Sequence, residues 1–131
     1  MPGSFADSNV LLYLLSADER KRVIATELLS EELTISVQVL NEVTLVARRK
    51  HGLAWAQIRQ FIDDLVPLVA IEPVTIEIHH AGRSIAERYG FRFYDSLIVA
   101  AALGRACTTL FSEDLNHGQR IGNLTITNPF V

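Results

Sequence analysis

Tyr94-Asp95-Ser96-Leu97-Ile98-Val99-Ala100-Ala101-Ala102-Leu103-Gly104-Arg105-Ala106-Cys107-Thr108-Thr109-Leu110-Phe111 is the stretch on which the fold turns. Tyr94 to Ala106 is apolar on nearly every face, which predicts a deeply buried helix. Cys107 to Phe111 then reads as a buried strand. Working outward, the same alternation recurs. Short strands are expected at Ser4–Ala6, Leu33–Ser36, Leu68–Ile71 and Leu124–Thr127. Helices are expected from Ser8 through Leu15, from Asp18 through Leu29 and from Val37 to the Lys50-His51-Gly52 stop. Two more run from Leu53 to Leu65, with Trp55, Ile58, Phe61 and Ile62 toward the core, and from Thr75 to Tyr89. Such alternation argues for an α/β fold with a mainly parallel sheet, in one domain spanning 1–131.

Composition narrows the class. No apolar run approaches the roughly 18 residues of a membrane span, and Met1-Pro2-Gly3-Ser4 lacks the basic start of a signal peptide. Cys107 is the one cysteine of the chain, so no internal disulfide forms; a reducing, cytoplasmic setting is expected. Nothing nearby activates its thiol, so it reads as a small buried hydrophobe. A hydrophobic fraction of 49% is high enough to suggest surface buried against a partner or second copy. The net charge of −3 does not mark a nucleic-acid binder. Setting four candidate ligands apart from the 15 acids, however, leaves 11 against 12 Lys and Arg, and bound divalent cations would reverse the local field. A phosphodiester substrate is therefore not excluded.

Those four are Asp7, Glu42, Asp95 and Asp114. Each lies where a strand hands over to a helix or loop, and in an open parallel sheet those positions share the ligand-binding edge. Each also has a plain structural reading: Asp7 as a helix cap, Glu42 as a surface helix residue, Asp95 as a complement to the helix dipole, Asp114 in a turn with Asn116. Their joint placement beside apolar segments shifts the balance. Converging like charges near apolar walls repel and raise each other's pKa. A cation removes that penalty, and a set with no paired Cys or His favours Mg²⁺ or Mn²⁺ over zinc.

Phe5-Ala6-Asp7-Ser8-Asn9-Val10-Leu11, Asn41-Glu42, Tyr94-Asp95-Ser96-Leu97-Ile98-Val99-Ala100 and Ser112-Glu113-Asp114-Leu115-Asn116-His117-Gly118 resemble the motifs of PIN-domain ribonucleases, and more narrowly those of VapC-type toxins. The resemblance implies a three-layer sandwich with about five short strands. It implies a metal-dependent endoribonuclease in which Asp7, Glu42, Asp95 and Asp114 hold one or two Mg²⁺ or Mn²⁺ ions and activated water cuts RNA. Ser8, Asn9, Ser112 and Asn116 would then support the ligands, with Ser8 standing where threonine is more usual. A cognate antitoxin and a homodimer are also implied; membrane association and direct DNA binding are not.

Of the remaining residues, His117 reads as solvated, with phosphate contact as its functional alternative. Arg48-Arg49-Lys50-His51 complements a helix C-terminus or touches RNA backbone. Arg88 and Arg92 flank the approach to Asp95, so one of them faces a phosphate or an antitoxin carboxylate on the functional reading. Tyr13, Trp55 and Phe61 read as core or interface. A catalytically inactive PIN-like binding module is the rival reading. A receiver-type phosphoacceptor fails for want of a lysine after Lys50, and a haloacid-dehalogenase-type phosphatase fails because Asp7-Ser8-Asn9 lacks the second aspartate.

Overall fold

The computed structural model describes residues 3–131; Met1 and Pro2, read above as free of a signal pattern, lie outside the described residues. Strand β1 (Ser4–Ala6) leads into helix α1 (Ser8–Leu12), which tightens into a 3₁₀ turn over Tyr13–Leu15, and α2 (Glu19–Leu28) follows. Then come β2 (Leu33–Ser36), α3 (Val37–Arg49) and α4 (Trp55–Leu65). The second half consists of β3 (Ala70–Glu72), α5 (Ile76–Tyr89), α6 (Phe93–Gly104), β4 (Thr109–Phe111), β5 (Arg120–Ile121) and β6 (Leu124–Thr127). The 6 strands form one sheet in the order β3-β2-β1-β4-β6-β5. All neighbours are parallel except β5 and β6. No helix among the described residues is long and apolar enough to cross a membrane.

That order places a reversal between β1 and β4. From β1 the chain winds outward through β2 to β3, then returns to the other side of β1 for β4 and β6. The crevice beyond the carboxyl ends of strands at such a reversal is the usual ligand position. Here the seam closes tightly, since Asp7 N–H donates to the Phe111 carbonyl at 2.9 Å.

The local elements follow from sequence. Ser36 caps α3 by accepting from Val39 N–H at 3.3 Å, and Val39, Val43 and Ala47 recur every fourth residue as its buried face. In α6 every residue from Ser96 to Ala102 is buried, as its uniform apolarity requires. Helix α5 crosses α6 at Gly82, where an added Cβ would stand 2.7 Å from the Leu97 side chain.

Several expectations are corrected. The sheet has a sixth strand, because Gly122 (φ 58) opens a two-residue turn that pairs Ile121 with Leu124. Leu68 closes a 3₁₀ turn over Val66–Leu68 that contains Pro67, so β3 begins at Ala70 instead. Cys107 is buried but precedes β4; Ala106, with φ 57, ends the helical segment just before it. Trp55 opens α4 at 61% exposure instead of entering the core, with the Arg48 guanidinium 5.3 Å from its ring centre.

Candidate active site

Four segments meet at the reversal. Asp7 sits between β1 and α1 with an extended backbone, and its Oδ1 accepts from Ser8 N–H at 2.7 Å. It therefore is the helix cap of the plain reading, but it is also 2% exposed and bound from across the sheet. Its Oδ2 accepts from Ser112 Oγ at 2.8 Å and from Asn9 Nδ2 at 3.2 Å. Ser8 Oγ lies 2.9 Å from Glu42 Oε1 and 3.3 Å from Asp7 Oδ1; its single proton serves Glu42, the nearer. Gln38, one helical turn before Glu42, donates to Oε2 at 3.0 Å.

Asp95 stands in the first turn of α6, where Arg92 Nε donates to its Oδ2 at 3.3 Å. Asp114 is exposed on the loop after β4, and its side chain enters no hydrogen bond with the other described residues. That loop is braced elsewhere. Glu113 N–H donates to Asn9 Oδ1 at 3.1 Å, Leu115 N–H donates to Ser112 Oγ at 3.3 Å, and the Glu113 carboxylate takes Lys21 Nζ at 2.6 Å and the Tyr13 hydroxyl.

Electrostatics single out Asp7. Burial pushes its carboxyl from 3.8 up to about 6, against the bonds from Ser112 and Ser8, and the charges of Asp95 and Glu42 push the same way. Arg92 is held further toward its charged form by Asp95 first, and also by Asp114 and Glu42. The structure thus joins Asp7, Ser8, Asn9, Glu42 and Ser112 in one network and brings Asp95 within its field. Asp114 stands at the rim. Asn116 faces away, donating to Gln119 at 3.1 Å, and His117 accepts from Asn128 N–H at 2.9 Å.

The donor chemistry, carboxylate oxygens without thiolate or imidazole, suits a hard divalent cation. The side chains are nevertheless not gathered: among the described residues no three His, Cys, Asp or Glu groups stand close enough to hold one ion. Three of the four acids face other donors: Asp7 faces Ser112 and Asn9, Glu42 faces Ser8 and Gln38, and Asp95 faces Arg92. No buried side-chain nitrogen or oxygen among the described residues lacks a partner.

A cleft of about 490 Å³ adjoins Asp114, lined by Asn9, Tyr13, Lys50, His51 and Glu113 among others. A larger one, about 730 Å³, opens at the opposite edge, where Gly3, Leu33, Ala70 and Cys107 lie at the strand starts. Burial raises the Cys107 thiol there, away from reactivity. Size is a poor guide here: the larger cleft touches none of the four acids and the smaller one touches Asp114 alone. Gln38 went unread in the sequence although its i, i+4 spacing to Glu42 was visible. The Tyr13–Lys21–Glu113 brace, which joins residues 92 to 100 apart, left no local signal.

A mainly parallel sheet flanked by helices, with acids at the reversal, defines the class of the molecule. The chain belongs to the PIN domain family, whose profile matches residues 4–120. Solved structures share the fold at low identity. VapC20 of Mycobacterium tuberculosis, described as a sarcin–ricin loop cleaving toxin, is 19% identical with a TM-score of 0.70, over 85% of this chain and 91% of its own. A toxin–antitoxin complex from Klebsiella pneumoniae matches at 20% identity and TM-score 0.74, covering 96% of this chain and 97% of that one. VapBC2 from Rickettsia felis, bound to a promoter DNA fragment, matches at 19% and 0.70, covering 95% and 97%. No curated protein matches by sequence.

Proposed function

We propose that this chain is a Mg²⁺- or Mn²⁺-dependent endoribonuclease serving as the toxin of a toxin–antitoxin pair. The observation that carries the reading is Asp7, buried at the sheet reversal and raised to about 6 with Asp95 and Glu42 in its field. A fold gains nothing in stability from burying such a carboxylate among its like. The PIN family match and the RNA-cleaving description of VapC20 supply the substrate class, and relatives solved as toxin–antitoxin complexes supply the partner.

On this reading Asp7, Glu42, Asp95 and Asp114 hold the cation, which when bound acidifies a water and stabilises charge on the phosphate. The chain's own groups prepare the site. Ser112, Asn9 and the Ser8 amide fix the Asp7 carboxylate, while Ser8 and Gln38 aim Glu42. Asn116 and His117, engaged elsewhere, are not needed. A cytoplasmic homodimer completes the proposal.

Cleavage of total host RNA with Mg²⁺ or Mn²⁺, against EDTA and Asp95→Asn controls, tests it. Discrete fragments absent from both controls are expected. The rival binding-module reading draws on the ungathered carboxylates. Intact RNA together with no divalent-cation binding by calorimetry would decide for that rival.

A further inference from the structure

Arg92 is an odd residue to find at the start of α6. The position before a helix favours Ser, Thr, Asp or Asn, whose side chains bond the first amides. The helix dipole disfavours a cation there as well. Arg92 supplies no side-chain cap. Its backbone is firmly held, since its carbonyl accepts from Ser96 N–H at 2.9 Å and Ser96 Oγ at 3.0 Å. Its side chain is 81% exposed, so packing does not fix it. One end is thus anchored while the guanidinium swings over the acidic edge.

Stability does not account for this arginine. A long, exposed ion pair such as Arg92–Asp95 contributes almost nothing. Of five N–H donors, the guanidinium gives one to Asp95, through Nε at 3.3 Å. The rest keep the planar fork that matches a phosphate with two parallel bonds. Lys21, by contrast, is committed to Glu113 and Tyr13. Lys50 and His51 border the neighbouring cleft.

We propose that Arg92 binds a phosphate of the RNA strand beside the scissile bond, taking it in exchange for Asp95 once a divalent cation claims that carboxylate. The proposal rests on the endoribonuclease reading for its substrate. Asp95 has two roles in turn: it holds the guanidinium at the site while the cation is away, then releases it to the substrate.

The test has a binding arm and a cleavage arm. In EDTA, where nothing is cut, a short fluorescein-labelled single-stranded RNA is titrated with the parent chain, Arg92→Gln, Asp95→Asn and the double variant. Asp95→Asn frees the guanidinium and is expected to tighten binding. Adding Arg92→Gln is expected to remove that gain, about tenfold in Kd. The salt dependence should become shallower by about 0.7 in log–log slope. With Mg²⁺ present, Arg92→Gln is expected to raise KM about tenfold while kcat changes little, and Arg92→Lys to restore only part. Its thermal midpoint should match the parent's.

Equal RNA affinity of Asp95→Asn and the double variant would overturn the proposal. So would Arg92→Gln cleaving at parental KM, or faster at limiting Mg²⁺, which would make Arg92 a mere competitor of the cation. Arg92-dependent binding without any cleavage sinks the nuclease reading alone. Cleavage indifferent to Arg92 sinks this inference alone, and no binding by any variant sinks it too.

Discussion

At the scale of single residues, Asp7 couples stability to pH in a direction opposite to most surface acids. Its folded carboxyl titrates at about 6 and its ordinary value is 3.8. Between those values the folded state binds more protons than the unfolded one, so stability falls as pH rises. Below 3.8 the group contributes no penalty; above about 6 the penalty is complete, about 3 kcal/mol at most. Asp7→Asn in EDTA is therefore expected to gain stability over the parent above pH 6 and none below 3.8, less whatever the lost acceptor costs. Denaturant titrations at the two ends check this, and a stability difference between variant and parent that does not move in the variant's favour from the acid end to the neutral end would contradict it. Saturating Mg²⁺ should raise the parent's thermal midpoint and leave that of Asp7→Asn nearly unmoved, since a ligand stabilises only the state that binds it. The placement of Asp7 was legible because it directly follows β1, whereas Asp95, expected at the end of a strand, enters instead from the first turn of α6, after α5, and Glu42 from within α3. Which donors each acid faces was not legible, because Ser112 and Arg92 reach them through rotamers and long-range packing.

At the scale of elements, legibility tracked periodicity. The burial of α6 emerged as its apolar run required, and in α3 Val43 and Ala47 are buried with Val39 one turn earlier, whereas Leu45, apolar in the same run, points outward. The hairpin of β5 and β6 was missed because Arg120–Ile121 has only two residues, too few to show alternation. Gly122-Asn123 was its only signal. Trp55 misled because first-turn helix residues overhang the chain entry rather than the core. Gly82 escaped notice between Ala81 and Arg83, yet it sets how closely α5 approaches α6. A methyl there would meet Leu97 Cδ2 at 2.7 Å, and Leu97 is itself buried. Alanine would gain about 1 kcal/mol of helix propensity, but overpacking costs about 1–3 kcal/mol, so the clash wins. Gly82→Val, bulkier and β-branched, is expected to lose at least about 2 kcal/mol. An unchanged denaturation midpoint would show that the two helices are not in this contact.

At the scale of the whole molecule, an α/β chain with a mainly parallel sheet was readable from alternation alone, and the family from four short motifs in order. What alternation does not specify is strand order, and strand order builds the site. Overall acidity was equally silent, since the net charge of −3 sums over the whole surface and says nothing of which acids share the sheet edge. The homodimer expected above concerns surface rather than core. Leu45, Trp55, Leu68 and Ile76 leave large apolar area uncovered. Sedimentation equilibrium is expected to give twice the monomer mass of 14.6 kDa; a monomer at all concentrations would remove that part of the proposal.

The bond between Asp7 and Ser112 joins residues 105 apart in sequence, and Asn9 reaches the Glu113 amide across 104. Translation delivers the first of each pair roughly a hundred residues before the second. A growing chain thus carries Asp7 for a long stretch of synthesis before the loop after β4 arrives to steady it. For a protein made on an RNA machine and proposed to cut RNA, that delay is a form of timing: the site on this reading stays unassembled until residues roughly a hundred positions further on have emerged.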